Sequence, residues 1–201
     1  MIALDLAETM KKKFDIDYIY FDKHMTKFII KENYKKLSQI LNLDIVSIFE
    51  EKEKQYDELF EECKNILQGK KLIYGNTPMM ALETVDFLSD LGLEPVFVQL
   101  RELYEQDAKF KESLLNKGYD PYISRIANIA PLRHLYDTIG ADIYIGHESP
   151  IILKQKGLTQ ITLDSHAQKI GYELPIAMMN DLIKLFSLEK STMGGMMYAT
   201  M

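Results

Sequence analysis

A chain of 201 residues, 47% hydrophobic and 27% charged, carries enough apolar material for a core of ordinary domain size and enough charge for a solvated surface. Its net charge of −6, with basic residues interleaved among acids as in Glu51-Lys52-Glu53-Lys54, argues against nucleic acid as a partner, which needs a concentrated basic stripe. The single cysteine, Cys63, excludes an internal disulfide and a Cys-based zinc site, and no run is apolar enough to span a membrane or to act as a signal peptide, so a cytoplasmic protein is expected.

The first third of the chain reads as helical. Ala3, Leu6, Ala7, Met10 and Phe14 recur at the spacing of one helix face. Ile16 to Phe21 is a short extended segment rich in Tyr and Ile. Tyr34, Leu37 and Leu41 predict a second amphipathic helix. Tyr56, Leu59, Phe60, Cys63 and Leu67 predict a longer third one, closed by Gly69.

From Lys70 the pattern changes to alternating strands and helices. Strands are expected at Lys71–Tyr74, Pro95–Leu100, Tyr122–Ile126, Ile143–Ile145 and Gln160–Leu163, with Arg125 interrupting the third. Thr77 and Pro78 suggest a capped helix start, with Ala81, Val85 and Leu88 facing inward and Gly92 ending the helix. Further helices are expected at Leu103–Leu115, around Leu132–Ile139 and at Ile151–Lys156. Met179, Leu182, Ile183 and Phe186 mark the last one. Strands separated by helices imply parallel pairing, hence an α/β, Rossmann-like, doubly wound sheet of about five strands with a helical N-terminal extension. The chain divides into a helical lead-in over 1–69, the Rossmann-like unit over 70–190 and an uncharged Met- and Gly-rich tail over 191–201, either disordered or docked on a partner.

Ligands of such sheets sit outside the carboxyl ends of the strands. Those ends carry Asn76 and Thr77, Arg101 and Glu102, Asn128, then His147, Glu148 and Ser149, and finally Asp164, Ser165 and His166. Two imidazoles and two carboxylates on neighbouring strand ends suit proton transfer or metal binding. Helix capping by Ser149 and a turn bond from Asp164 account for the same residues without any ligand. Gly75-Asn76-Thr77-Pro78 matches neither nucleotide-binding glycine pattern. Cys63, on an apolar stripe, reads as a core residue, and His24 and His134 read as structural.

Several segments, in order, resemble nitrogenase component 1 type oxidoreductases. KLIYGNTPMMALETVDFLSDLGLEP (71–95) is similar to the strand–loop–helix that opens their C-terminal domain. ADIYIGHES (141–149) is similar to their strand ending in a Gly-Asn-Ser or Gly-Asn-Thr loop, with His147 in place of Asn. GYELPIAMMNDLIKLF (171–186) resembles their Gly-Tyr-x-Gly segment and long helix, with Leu174 in place of the second Gly. Asp164-Ser165-His166 looks like a shortened Asp-Arg-His stretch of the beta-type subunits, and the resemblance extends over about residues 3–188.

The resemblance implies an α/β subunit that pairs with another such subunit or with itself and takes electrons from an ATP-dependent iron–sulfur reductase. An Fe–S cluster or metallocofactor would be held together with other domains, and none by the isolated chain. Family members have three such domains, and their cluster cysteines lie mainly in parts that find no counterpart here. The expected role is therefore a C-terminal domain, as a fragment or split gene product, lining a cofactor or substrate cavity with Asn76, Thr77, His147, Glu148, Ser149, Asp164 and His166. The alternative is a stand-alone, non-catalytic binding or scaffold protein derived from that family.

Overall fold

The computed structural model describes residues 2–125 and 133–197. Expectations placed on Ile126, Asn128 and Leu132 lie outside the described residues. Four helices come first: α1 (Ile2–Phe14), α2 (Lys27–Leu41), α3 (Ile45–Ile48) and α4 (Glu50–Leu67). The alternating part then runs β1 (Lys71–Tyr74), α5 (Ala81–Asp90), β2 (Glu94–Gln99), α6 (Asp107–Asn116), β3 (Tyr122–Ser124), α7 (Tyr136–Ile139), β4 (Ile143–Ile145), α8 (Pro150–Gln155) and β5 (Thr159–Ile161). A 3-10 turn over Asp164–His166 leads into α9 (Glu173–Met197), whose backbone continues into the Met-rich tail.

All five strands are parallel, in the order β3-β2-β1-β4-β5. The strands are short apolar runs because both faces of the sheet are covered. Leu72, Tyr74, Val98, Ile143 and Ile145 face one core, shared with α4, α5 and α9. Ile73, Phe97 and Tyr144 point the other way, onto Tyr136 of α7, Leu153 of α8 and Leu158. This alternation along each strand is the physical signature of a doubly wound sheet.

The N-terminal helices join the first core rather than standing apart. Tyr56, Cys63 and Leu67 of α4 are buried with Met179, Leu182 and Phe186 of α9. Tyr34 of α2 stacks on Phe49, with ring centroids 4.1 Å apart, and lies 5.8 Å from the Tyr172 ring. Between α1 and α2 the chain runs without regular hydrogen bonding, and side-chain contacts pin it. Met25 is buried in the core, and the Asn33 amide donates to Asp22 O at 2.7 Å.

Several local expectations are corrected. The Thr77 hydroxyl does not cap α5 and Pro78 is not its first residue; the helix begins at Ala81 after a turn over 77–80. The helix expected from Leu103 starts at Asp107, because the Asp107 carboxylate accepts the Tyr104 amide at 2.8 Å and holds that stretch in a turn. A short α3, capped by Asp44 on the Ser47 amide at 3.1 Å, precedes the long helix. The third and fifth strands end at Ser124 and Ile161, earlier than their apolar runs suggest.

The α1 stripe is the largest departure. Leu6 and Phe14 are 59% and 68% exposed, and Met10 is also exposed. These three positions of the stripe are thus left uncovered by the described residues. Truncating Leu182 to Ala should cost about 2–5 kcal/mol, the range for a fully buried leucine, whereas Leu6→Ala should stay within about 0.5 kcal/mol. Chemical denaturation of both variants checks this, and a Leu6→Ala cost equal to that of Leu182→Ala would contradict the described packing.

Candidate functional site

In this strand order the direction of strand addition reverses between β1 and β4, and ligands of open α/β sheets bind at such a switch point. Here the gap is stitched shut. The Gly75 amide donates to Ile145 O at 2.7 Å, and the His147 amide donates to Asn76 O at 3.1 Å. Gly75 lies so close to Tyr144 that any Cβ would run into the phenol ring. A Cβ on Gly146, whose φ is +135°, would meet Asn76 O at 3.0 Å. Glycine at both positions is what lets the two loops touch.

The opening lies instead on the other edge of β1. A cleft of about 360 Å³, within the range of small-molecule sites, lies at the carboxyl ends of β1, β2 and β3. Asn76, Thr77, Met79 and Met80 line it from the β1 loop. Arg101, Glu102 and Tyr104 line it from beyond β2, and Arg125 from beyond β3. Thr77 Oγ1 sits 2.6 Å from the Tyr74 hydroxyl and accepts the Met79 amide at 3.2 Å, which fixes the loop. Asn76 Oδ1 accepts from Arg101 Nε at 2.8 Å. The Tyr104 hydroxyl donates to Glu102 at 2.9 Å.

The seven residues singled out from the sequence fall in separate places. Asn76 and Thr77 belong to the cleft. His147 and Asp164 meet each other on the far side, at the ends of β4 and β5, with Nε2 3.0 and 2.9 Å from the two carboxylate oxygens and both side chains half-exposed. Glu148 turns away from them. Its side chain is only 1% exposed and accepts from Arg133 Nε at 3.1 Å, Arg133 Nη2 at 2.9 Å and the Tyr136 hydroxyl at 3.1 Å. Burial opposes its charge, but the bonds from Arg133, the Ser149 amide and Tyr136 outweigh it and hold the carboxyl below its ordinary value. Ser149 stands at the N-cap of α8 without a side-chain cap bond, its amide donating to Glu148 at 2.6 Å.

His166 is buried beneath the 3-10 turn, with Nε2 3.1 Å from Asp181 of α9. Burial pushes its imidazole down, against the pull of Asp181, so it is neutral near pH 7. The two imidazoles therefore face different carboxylates and do not share a ligand position. Tyr104 and Arg125 are cleft residues that the sequence reading left out, while Arg101 and Glu102 were placed at a strand end but not counted in the site. The signal that could have found them is the arginine that breaks the third apolar run, together with the one that ends the second.

Behind the β1 loop lies a second, smaller hollow lined by Lys23, Met79, Met80 and Glu83. Glu83 Oε1 lies 3.8 Å from His24 Nε2, and both side chains are nearly buried. His24 Nδ1 accepts the Thr26 amide at 3.0 Å, so a neutral ring carries its proton on Nε2, facing the carboxylate. Burial pushes the Glu83 carboxyl up to about 7, with Asp22 and Asp107 adding to the shift and Lys109 and Lys23 opposing it. The folded chain thus keeps a proton that the unfolded chain releases near its ordinary value of 4.5, so stability falls as pH rises from about 4.5 to about 7. Glu83→Gln should accordingly raise stability at pH 8 by about 2–3 kcal/mol and change little at pH 4.5. Denaturation midpoints of the two proteins across this range check it; a difference independent of pH would contradict it.

The donor set does not fit the Fe–S cluster that the family resemblance implies. Such clusters are held by several thiolates. The one cysteine, Cys63, is fully buried, its thiol lies 3.6 Å from Met179 O, and burial pushes it up to about 12. Among the described residues no three His, Cys, Asp or Glu side chains converge as metal ligands.

Comparison with known proteins places this geometry in context. The solved structure of nitrogenase Cp1 at pH 6.5 superposes with a TM-score of 0.73 at 18% identity, covering 92% of this chain and 43% of that one. Nitrogenase Cp1 at pH 5 superposes with a TM-score of 0.63 at 14% identity, covering 91% of this chain and 44% of that one. At these identities the likeness concerns the fold, and this chain spans less than half the length of either. No curated protein matches it. The family model described as nitrogenase component 1 type oxidoreductase matches residues 1–185, and with that match extending over most of the sequence, the chain belongs to the nitrogenase component 1 type oxidoreductase family.

Proposed function

We propose that this chain supplies the C-terminal, Rossmann-like domain of a nitrogenase-like oxidoreductase assembly. In this reading the cleft at the ends of β1, β2 and β3 forms one wall of a cofactor or substrate cavity that other domains complete. The iron–sulfur or metallocofactor, and the ATP-dependent reductase that feeds it electrons, belong to those partners, since the thiolates must come from elsewhere. The observation that carries the reading is the bare apolar face of α1. Leu6, Met10 and Phe14 continue into exposed Ile16, Tyr18, Ile19 and Tyr20, an apolar strip of the kind that marks an interaction surface.

A second reading, a stand-alone and non-catalytic binding protein, is favoured by the donor set, in which the one thiol is buried and protonated. The two differ in whether iron and sulfide accompany the chain when it is purified anaerobically with its partners. Both exclude a membrane-spanning role for the described helices, none of which is long and apolar enough to cross a bilayer.

Either way the apolar strip needs a cover, from a second copy or another subunit. At high micromolar concentration the chain should sediment as a species heavier than its 23.3 kDa monomer. Replacing Leu6 and Phe14 together by Asp should return it to a folded monomer, since both side chains are exposed in the single chain. A single 23.3 kDa species for the unaltered chain would rule out a second copy as the cover and leave another subunit.

A further inference from the structure

We infer that the cleft at the ends of β1, β2 and β3 is an oxyanion site, built to take the carboxylate or phosphate group of a small molecule on Arg101 and Arg125. The first support is the choice of residue. Of the 24 basic side chains in the sequence only three are arginine, Arg101, Arg125 and Arg133, and all three stand at the carboxyl end of the sheet. Arginine differs from lysine in its planar fork, which grips carboxylates and phosphates through two parallel bonds and stays charged at any working pH. A chain that uses lysine everywhere else has placed its forks where ligands of this architecture bind.

The second support is what each fork meets. Arg133 has a carboxylate of its own, reaching Glu148 through Nε and Nη2 at 3.1 and 2.9 Å. Arg101 and Arg125 have none among the described residues. Arg101 gives its Nε to Asn76 Oδ1, which orients the guanidinium and leaves the Nη edge without an acceptor among the described residues. The two acids nearby are engaged by Tyr104 instead: Glu102 by its hydroxyl at 2.9 Å and Asp107 by its amide at 2.8 Å. Arg101 and Arg125 follow adjacent paired strands, whose backbones run about 5 Å apart. Both side chains line the same cleft, so one anion in it gains from both charges. Met79, Met80 and Tyr104 offer a soft, apolar wall for the rest of the molecule.

The inference rests on reading this cleft as the ligand-facing wall proposed above. The two can fail separately, because anion binding is measured on this chain alone and the assembly by sedimentation. The experiment is calorimetric titration of the full chain with inorganic phosphate and with succinate, at constant ionic strength against sodium chloride. One of the two should bind one per chain with Kd of about 1 mM or tighter, and the tighter one identifies the headgroup as phosphate or carboxylate. Arg101→Gln and Arg125→Gln should each weaken it by about tenfold or more, and Arg101→Lys should also weaken it, because the charge survives but the fork does not. Lys154→Gln, a charge change on α8, should leave binding unaltered, and circular dichroism confirms that each variant is folded. Binding of neither anion beyond chloride, or binding that survives both arginine-to-glutamine changes, overturns the inference.

Discussion

β1 is bonded along both edges, to β2 through the Leu72–Pro95 and Tyr74–Val98 neighbours and to β4 through Leu72–Ile143 and Tyr74–Ile145. The second ladder does not stop at the strand ends. Gly75 and Asn76 extend it onto Ile145 and His147, and two glycines permit the contact. Tyr144, in the second core, packs its phenol against Gly75 beneath this contact. Closing that gap moves the accessible end of the sheet to the β1–β2–β3 side, where the strand-end loops separate and the arginines stand.

The same central strand sets the division of the interior. Its alternate residues face two cores, one covered by α4, α5 and α9 and the other by α7 and α8. Because α4 and α9 pack on the first of these through Cys63, Leu67, Met179 and Leu182, the helices before β1 are part of the body that holds the cleft in shape. α1 is different, since Leu6, Met10 and Phe14 of its apolar stripe are left exposed. The solved structures that share this fold are more than twice as long, and under the proposal above the cover for that face comes from outside this chain.

The strands and most helices were legible because burial on two faces writes apolar runs, and burial on one face writes a helical period. Direction at the loops was not. His147 and Glu148 are neighbours in sequence, yet one side chain goes out to Asp164 and the other in to Arg133 and Tyr136. Asp164 and His166 are two residues apart, and a 3-10 turn sends one to the surface and the other into the interior against α9. Thr77 and Pro78 carry a helix-start pattern, but the Tyr74 hydroxyl takes the Thr77 side chain for the loop. Such choices depend on partners distant in the chain, which no local spacing encodes. The arginines were visible as letters, and their meaning came only with the strand order that set Arg101 beside Arg125 and away from Glu148.

The central claim is that the ligand-facing end of this sheet lies over β1, β2 and β3 and not over the His147–Asp164 rim. Backbone amide chemical shifts of the isotopically labelled full chain, followed through a phosphate titration, locate the binding surface directly. The account predicts that the amides of Asn76, Met79, Arg101 and Tyr104 shift together and saturate, while those of His147 and Asp164 stay in place. Saturating shifts centred on His147 and Asp164, with the β1 and β2 loops unmoved, would contradict it.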